Sequence, residues 1–218
     1  MRRALLLSLA LSFVLGARAA AQTCTGMPAF SSGQMQIAGS GSFADGASSF
    51  GGSFGYGVPK GMYGKAGIGT TSYDAFDGSS LDFSLAGGYQ IPLQTSRTAE
   101  LCPVASLSLG SGPDDILGSG IDMSSRTFAL GAALGAQLGH NPQLQIVPNA
   151  SFQLANTRLS VDDGTDSASD SESYGLLTLG TGFVFNSRYS LNPSISFPMG
   201  LEGSDASFSL AGAIHFGR

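Results

Sequence analysis

The sequence predicts an all-β protein, a closed antiparallel transmembrane β-barrel of about ten strands, with eight or twelve as the alternative counts. Three observations predict it. Apolar residues alternate with small or polar ones along ten segments, the connections between these segments are alternately short and long, and only 25 of the 218 residues are charged. A typical soluble domain has about a quarter of its residues charged.

The glycine and serine content excludes two other classes of protein. The chain has 32 glycines and 33 serines, a bias that is common in low-complexity segments. Disorder, however, requires low hydrophobicity and high net charge, and 42% of this chain is hydrophobic. The composition therefore indicates a folded chain with an apolar outside, an inside of small residues, or both.

The first residues indicate export from the cytoplasm. Arg2 and Arg3 precede an apolar stretch over residues 5–16, and residues 19–21 are three alanines. This order is typical of a signal peptide. We therefore expect a signal peptide over residues 1–21, a periplasmic N-terminal segment over residues 22–32, and a barrel over residues 33–218.

Ten segments of alternating residues supply the predicted strands. The strongest alternation covers residues 81–91, 127–138, 143–154, 191–201 and 208–216, and the weaker segments cover residues 35–43, 50–58, 62–70, 101–109 and 177–185. Successive side chains of a strand point to opposite faces. A soluble β-sandwich also alternates, but lengths of roughly nine to twelve residues match tilted membrane strands better than soluble ones. Pro148 and Pro193 lie inside predicted strands, where we expect bulges or local breaks.

The connections differ in length at the two ends of the predicted barrel. Short links cover residues 59–61, 92–99, 139–142 and 186–188, whereas long polar loops are predicted over residues 111–125 and 157–173. Membrane barrels of bacteria have short periplasmic turns and longer extracellular loops. An even number of strands then leaves both termini in the periplasm.

Acidic and basic residues also divide between the two ends of the predicted barrel. Thirteen of the fifteen acidic residues fall in the connections that follow odd-numbered strands, while Lys60, Arg97, Arg188 and Arg218 belong to the other rim. Removal of residues 1–21 leaves seven basic and fifteen acidic residues, a net charge of −8. This balance argues against nucleic acid as a partner.

The two cysteines of the chain, Cys24 and Cys102, fall at the same end of this topology. Two cysteines in an exported protein suggest one disulfide, and two unpaired thiols are the alternative. A disulfide would hold the N-terminal segment near the periplasmic mouth.

The export signal, the alternating strands, the unequal loops and the final strand from Phe208 to Phe216 resemble the small outer-membrane β-barrel proteins of Gram-negative bacteria. The resemblance implies surroundings of outer-membrane lipid and lipopolysaccharide. It also implies that the barrel-assembly machinery reads the aromatic end of the last strand, although Gly217 and Arg218 follow Phe216 here. One fold hosts many activities, so the resemblance does not specify one.

The predicted inner face is mostly small, with Lys65, Asp82 and Glu100 as isolated charges in the lumen. Small inward side chains favour a narrow water-filled lumen, and acids at its mouth attract cations. The leading hypothesis is a small passive pore for solutes with mild cation preference. The second is a structural or adhesive barrel that acts through acidic extracellular loops, and the third is a secreted soluble β-domain.

Neither a cofactor nor catalysis is predicted. The only histidines, His140 and His215, map to the periplasmic rim, and with 33 serines a serine near a histidine is not informative. One acidic run supplies oxygen ligands suited to Ca²⁺, but its spacing matches no calcium-loop template and a flexible hydrophilic loop is the alternative. Its members are Asp162, Asp163, Asp166, Asp170 and Glu172.

Overall fold

The protein is described by a computed structural model, in which the chain forms a closed antiparallel barrel. The structure describes residues 24, 26, 27, 30, 32–74, 78–93, 99–112, 122–138, 143–162, 166–201 and 205–217. The predicted signal peptide over residues 1–21 lies outside the described residues, as do Arg97, His140, Asp163 and Arg218.

The strands are β1 Met35–Ala44, β2 Ala47–Gly57, β3 Met62–Tyr73, β4 Ser79–Tyr89, β5 Ile91–Pro92, β6 Ala99–Ser111, β7 Asp122–Ala136, β8 Leu144–Asp162, β9 Ser167–Phe185, β10 Tyr189–Met199 and β11 Ser207–Phe216. Strands that follow one another in the chain pair, except β4 and β5, which both pair with β6, and the first strand pairs with the last, which closes the barrel.

Strands β4 and β5 form one strand of the barrel. Both pair with β6 in the same register, and only Gln90 separates them. The interruption falls next to Pro103 of β6, which has no backbone N–H to donate to the ladder. The barrel therefore has ten strands, which confirms the predicted count and closure.

The two faces of the wall differ as the alternation predicts. Large apolar side chains such as Phe50, Leu85 and Leu154 are exposed on the outer face, whereas Gln36, Thr71 and Ser196 are buried on the inner face. Closure pairs the backbone polar groups inside the sheet, which a chain surrounded by hydrocarbon requires.

None of the described residues forms a helix that is long and apolar enough to cross a membrane. The described helical structure includes a three-residue 3₁₀ turn, Pro59–Gly61.

Pro148 and Pro193 both lie at local breaks, as predicted. The β9–β10 ladder omits Asn192 and Pro193 and then resumes in the same register. The β7–β8 ladder stops at Asn149, next to Pro148, and resumes at a single bridge between Leu138 and Ile146. A proline removes one ladder hydrogen bond, and here the wall accommodates the loss without inserting a residue.

The turns at one end are short. Lys60 and Gly61 have positive φ angles of 69° and 79°, and Asn186 and Ser187 have φ angles of 52° and 53°. Two consecutive residues of positive φ are typical of a tight hairpin turn. We call this end of the barrel, which holds the start of β1 and the end of β11, the short-turn end, and the other the long-loop end.

The predicted loop over residues 157–173 is wrong. Strand β8 continues to Asp162 and β9 begins at Ser167, and the two pair along this whole length. The alternation of buried and exposed residues continues along β8, with Thr157 and Leu159 buried on its inner face. Residues 122–125, also predicted as loop, belong to β7.

The paired ends of β8 and β9 extend past β10. The β9–β10 pairing stops at Gly175, opposite Met199, while the β8–β9 pairing continues to Asp162 and Ser167. We call residues 155–162 and 167–174 the projecting hairpin. Strand β7 follows β8 up to Asp162 and supports it on one side.

Candidate functional site: a plugged end and a charged hairpin

The N-terminal segment lies inside the short-turn end of the barrel. Its described residues Cys24, Met27 and Phe30 are only 0%, 1% and 4% exposed. They contact inward-facing residues of strands all around the wall. We call these three residues, together with Gly26, the plug.

Aromatic and aliphatic contacts hold one side of the plug. The ring of Phe30 stacks on Tyr63 of β3 with 5.6 Å between ring centroids. It also lies against Gly55 of β2, where the absence of a side chain leaves room for it. Met27 packs against Ala38 and Ala213 of β1 and β11.

A polar contact and a backbone approach hold the other side. The side-chain Nε2 of Gln36 donates to the Sδ of Met27 at 3.0 Å. Gly26 has a φ angle of 80° and lies so close to Gly182 of β9 that a Cβ at Gly182 would overlap the Gly26 backbone. Only glycine at position 182 leaves space for this crossing of two backbones.

A disulfide joins the plug to the wall. Cys24 is bonded to Cys102 on the inner face of β6, with 6.1 Å between their Cα atoms. The predicted pairing is therefore present. Ala133 of β7 packs against both cysteines. The bond spans 78 positions of the chain, so it constrains a long segment of the unfolded protein.

Sequence reasoning missed the plug itself. Met27 and Phe30 were the available signal, because a segment that stays in water has no reason to carry large apolar side chains. Residues 22–32 show neither a strand period nor a helix period, so the contacts of these two side chains could not be located from the sequence.

The structure places the predicted lumen charges at different depths. Lys65 and Asp82 are 5% and 3% exposed on the inner face, and Glu100 is half-buried. Lys65 lies near the plug, two residues after Tyr63, whereas Asp82 lies towards the long-loop end and accepts a hydrogen bond of 3.3 Å from the Thr71 hydroxyl. These side chains therefore do not form one cluster.

Hydroxyl pairs line the wall beyond the plug. Neighbouring strands share hydrogen bonds of 2.6 to 2.9 Å between side-chain oxygens, and the pairs are Ser42 with Ser209, Thr178 with Ser196, and Thr127 with Thr157. The hydroxyl groups of these short side chains are hydrogen-bond partners of one another across neighbouring strands. Between the plug and the long-loop end the inner face thus combines small hydroxyl groups with larger buried side chains such as Tyr73, Leu159 and Tyr174.

A serine and a histidine meet near the plug. The Ser190 hydroxyl and the His215 Nε2 are 3.1 Å apart, and both residues are buried. The His215 Nδ1 has no hydrogen-bond partner among the described residues. A nucleophilic pair requires an orienting group on that nitrogen and access for a substrate. Neither is seen among the described residues, so the arrangement supports a hydrogen bond within the wall.

The acidic residues suggested for calcium do not converge in the described part of the hairpin. Asp162 lies on the outer face, opposite Ser167, whereas Asp170 and Glu172 lie on the other face, opposite Leu159 and Thr157. The Asp170 carboxylate accepts a hydrogen bond from the Ser171 N–H at 2.8 Å. Among described residues, the group with metal-ligand spacing is Cys24, Glu100 and Cys102, whose sulfurs are bonded to each other.

Comparison with solved structures relates the fold to barrels of the outer membrane. The β-domain of the Bordetella autotransporter Brka superposes with a TM-score of 0.50 at 12% identity, over 85% of this chain and 100% of that one. The N-terminal barrel of Pseudomonas aeruginosa OprF aligns at TM-score 0.41 and 14% identity, over 85% and 98%. Ail of Yersinia pestis, solved with the heparin analogue sucrose octasulfate, aligns at TM-score 0.45 and 12% identity, over 85% and 100%.

No protein-family model matches the sequence, and no curated protein matches it. At these identities the likeness concerns the fold alone. The closed ten-strand wall with its apolar outer face, together with the likeness to the Brka domain, gives this chain the fold of an outer-membrane β-barrel protein.

Proposed function

We propose that the protein is an outer-membrane barrel that is closed by its own N-terminal segment and acts as a structural or adhesive protein through the projecting hairpin. The burial of Cys24, Met27 and Phe30 within the ring of strands carries this proposal. A lumen filled by a disulfide-bonded plug is a poor passive pore, whereas the hairpin stands free of β10 at the other end.

The proposed orientation has the short turns and both termini in the periplasm and the projecting hairpin outside the cell. Short periplasmic turns are the rule for bacterial barrels, and the charge segregation of the two rims supports the same assignment. In this orientation the signal peptide is removed before Gln22, and the barrel-assembly machinery receives the strand that ends at Phe216. Lipid and lipopolysaccharide surround the wall.

The chemistry of the hairpin favours a hydrophilic, positively charged surface as its target. Its β9 half is the serine- and acid-rich run over residues 167–173, most of which is exposed. Acids without exposed apolar neighbours attract cations and contribute little hydrophobic contact. Binding through such a surface weakens as salt is added, because exposed charges are screened beyond about 10 Å at 0.1 M salt.

The adhesive role is tested with cells that display the protein. In a shortened variant, Asn-Gly replaces residues 161–168 and joins Ser160 to Ser169, which are register partners, so a two-residue hairpin fits there. We expect wild-type cells to be retained on polylysine-coated glass more than cells without the protein. Salt should abolish the excess, and the shortened hairpin, which loses Asp162, Asp163 and Asp166, should reduce it. Polyglutamate-coated glass is the control surface. Retention of the shortened variant at the wild-type level would contradict the role of the hairpin.

A pore with mild cation preference is the second candidate, and the polar inner wall beyond the plug favours it. Asp82 and the serine and threonine hydroxyls could line a water-filled path if the plug left the short-turn end. Conduction by this candidate therefore depends on displacement of residues 24–30.

A further inference from the structure

Two arginines depart from the charge segregation of the molecule. Lys60 and Arg188 lie in the short turns, whereas Arg126 and Arg158 lie on β7 and β8 towards the acidic long-loop end. Arg126 and Arg158 are direct partners in the β7–β8 register, and both are exposed on the outer face. Like charges directly opposite on paired strands repel, since their Cβ atoms are about 5 Å apart. An anion held by both guanidinium groups would turn this repulsion into attraction.

The pair lies at the edge of the apolar outer band. On β7 the next outward residue below Arg126 is Phe128, and on β8 the outward residues below Arg158 are Asn156 and then Leu154. Phe128 and Leu154 are among the exposed large apolar residues of the wall. The Arg158 Nη2 donates to the Ser169 hydroxyl of β9 at 3.0 Å, so this side chain reaches away from the band and across β9. Long basic side chains at a lipid boundary extend towards the headgroups in this way. A ligand held by both arginines requires the Arg158 side chain to turn back towards Arg126 on β7.

A groove of roughly 430 Å³ opens on the outer face directly below the arginines. Phe128, Leu154 and Met199 give it apolar walls, and Gly175 lies between them. A Cβ at Gly175 would lie 3.2 Å from the Phe152 ring and 3.6 Å from the Met199 Cβ. A larger side chain at position 175 would therefore occupy the groove.

Polar groups mark the upper rim of the same groove. Asn156 and Ser173 line it and are register partners, and the Asn156 Nδ2 donates to the Ser173 hydroxyl at 2.9 Å. From the band outwards, the surface thus offers an apolar trough, then an amide and a hydroxyl, and then two guanidinium groups. This order matches an amphiphile whose hydrocarbon chain ends in an anionic headgroup.

We propose that this surface binds the lipid A part of lipopolysaccharide, with an acyl chain in the groove and a phosphate between Arg126 and Arg158. Planar guanidinium groups bind phosphate oxygens in pairs, which makes arginine well suited to this ligand. The choice of lipid A over a phospholipid of the inner leaflet rests on the proposed function, in which the long-loop end faces outwards.

The site is tested by native mass spectrometry of the detergent-solubilised full protein with diphosphoryl lipid A. We expect one lipid A per wild-type barrel, and an apparent affinity at least about tenfold lower for the double variant R126Q/R158Q, since two charge-assisted contacts are lost. The matched variant R188Q removes a charge at the other end and is expected to bind like wild type. Fully dephosphorylated lipid A should bind wild type as weakly as diphosphoryl lipid A binds the double variant.

The groove is tested with a matched pair of glycine variants. Gly175→Leu fills the groove and is expected to weaken lipid A binding, whereas Gly212→Leu adds the same side chain to the outer face of β11, where a Cβ meets nothing closer than 3.8 Å. Heat-modifiable migration on a gel shows whether each variant is a folded barrel.

Wild-type affinity in R126Q/R158Q, or equal effects of the two leucine substitutions, would overturn the site. Tighter binding of phosphatidylglycerol than of lipid A would overturn the assigned ligand. A conducting wild-type barrel would contradict the proposed function and leave this site intact.

Discussion

At the scale of single residues, the inner wall is shaped to receive the plug. Gly55 leaves room for the Phe30 ring, and Gly182 leaves room for the Gly26 backbone. Both glycines lie on the inner row of their strands, opposite the apolar outer row. The alternation could not predict what they face, because their partners lie more than 20 positions away in the chain and in a segment without any period.

Gly182→Val is expected to displace the plug and prevent disulfide formation. The added side chain would overlap backbone atoms of Gly26, which cannot rotate away as a flexible side chain would. Labelling of the unfolded, unreduced protein with a thiol-reactive maleimide measures the result, with near-complete labelling of Cys24 and Cys102 expected in the variant. Gly212→Val, which faces outwards, should leave the disulfide intact. An unlabelled Gly182→Val protein would show that the segment does not pass this position.

At the scale of elements, the strands that carry a row of apolar residues could be predicted from the sequence. One paired stretch that lacks such a row could not. Residues 167–173 of β9 are serine, alanine, aspartate and glutamate, with no apolar row on either face. They are paired because β8 continues beside them, with Thr157 and Leu159 buried on its inner face. Sequence reasoning therefore ended β8 too early, began β9 too late and read the stretch between them as a loop.

The two parts of this hairpin are expected to differ in their contribution to stability. The shortened variant, with Asn-Gly in place of residues 161–168, should keep the wild-type urea midpoint, because the described residues that it removes are mostly exposed. Replacement of residues 157–172 by Asn-Gly, which joins Asn156 to Ser173, should lower the free energy of unfolding by at least about 1 kcal/mol. It removes the Thr157 hydroxyl, which bonds Thr127 at 2.9 Å and Tyr174 at 3.4 Å. Equal midpoints for the two variants would contradict this division.

At the scale of the whole molecule, ten strands, closure and the faces of the wall follow from alternation. The predicted difference in connection length does not hold throughout, since only residues 45–46 separate β1 from β2 and only residues 163–166 separate β8 from β9 at the long-loop end. The function does not follow from these features. A row of small inward residues suggests an open lumen, and the same row leaves the space that Met27 and Phe30 occupy. The difference between a pore and a closed barrel thus depends on a few residues before the first strand.

The central claim is that the N-terminal segment closes the lumen, and single-channel recording in planar bilayers tests it most directly. The two proteins to compare are the mature wild type and a variant that lacks residues 22–31 and carries Cys102→Ser. We predict no unitary events for the wild type in either polarity and discrete channel events for the variant. A wild-type protein that conducts as well as the truncated one would contradict the claim, and so would a truncated barrel that is folded and silent.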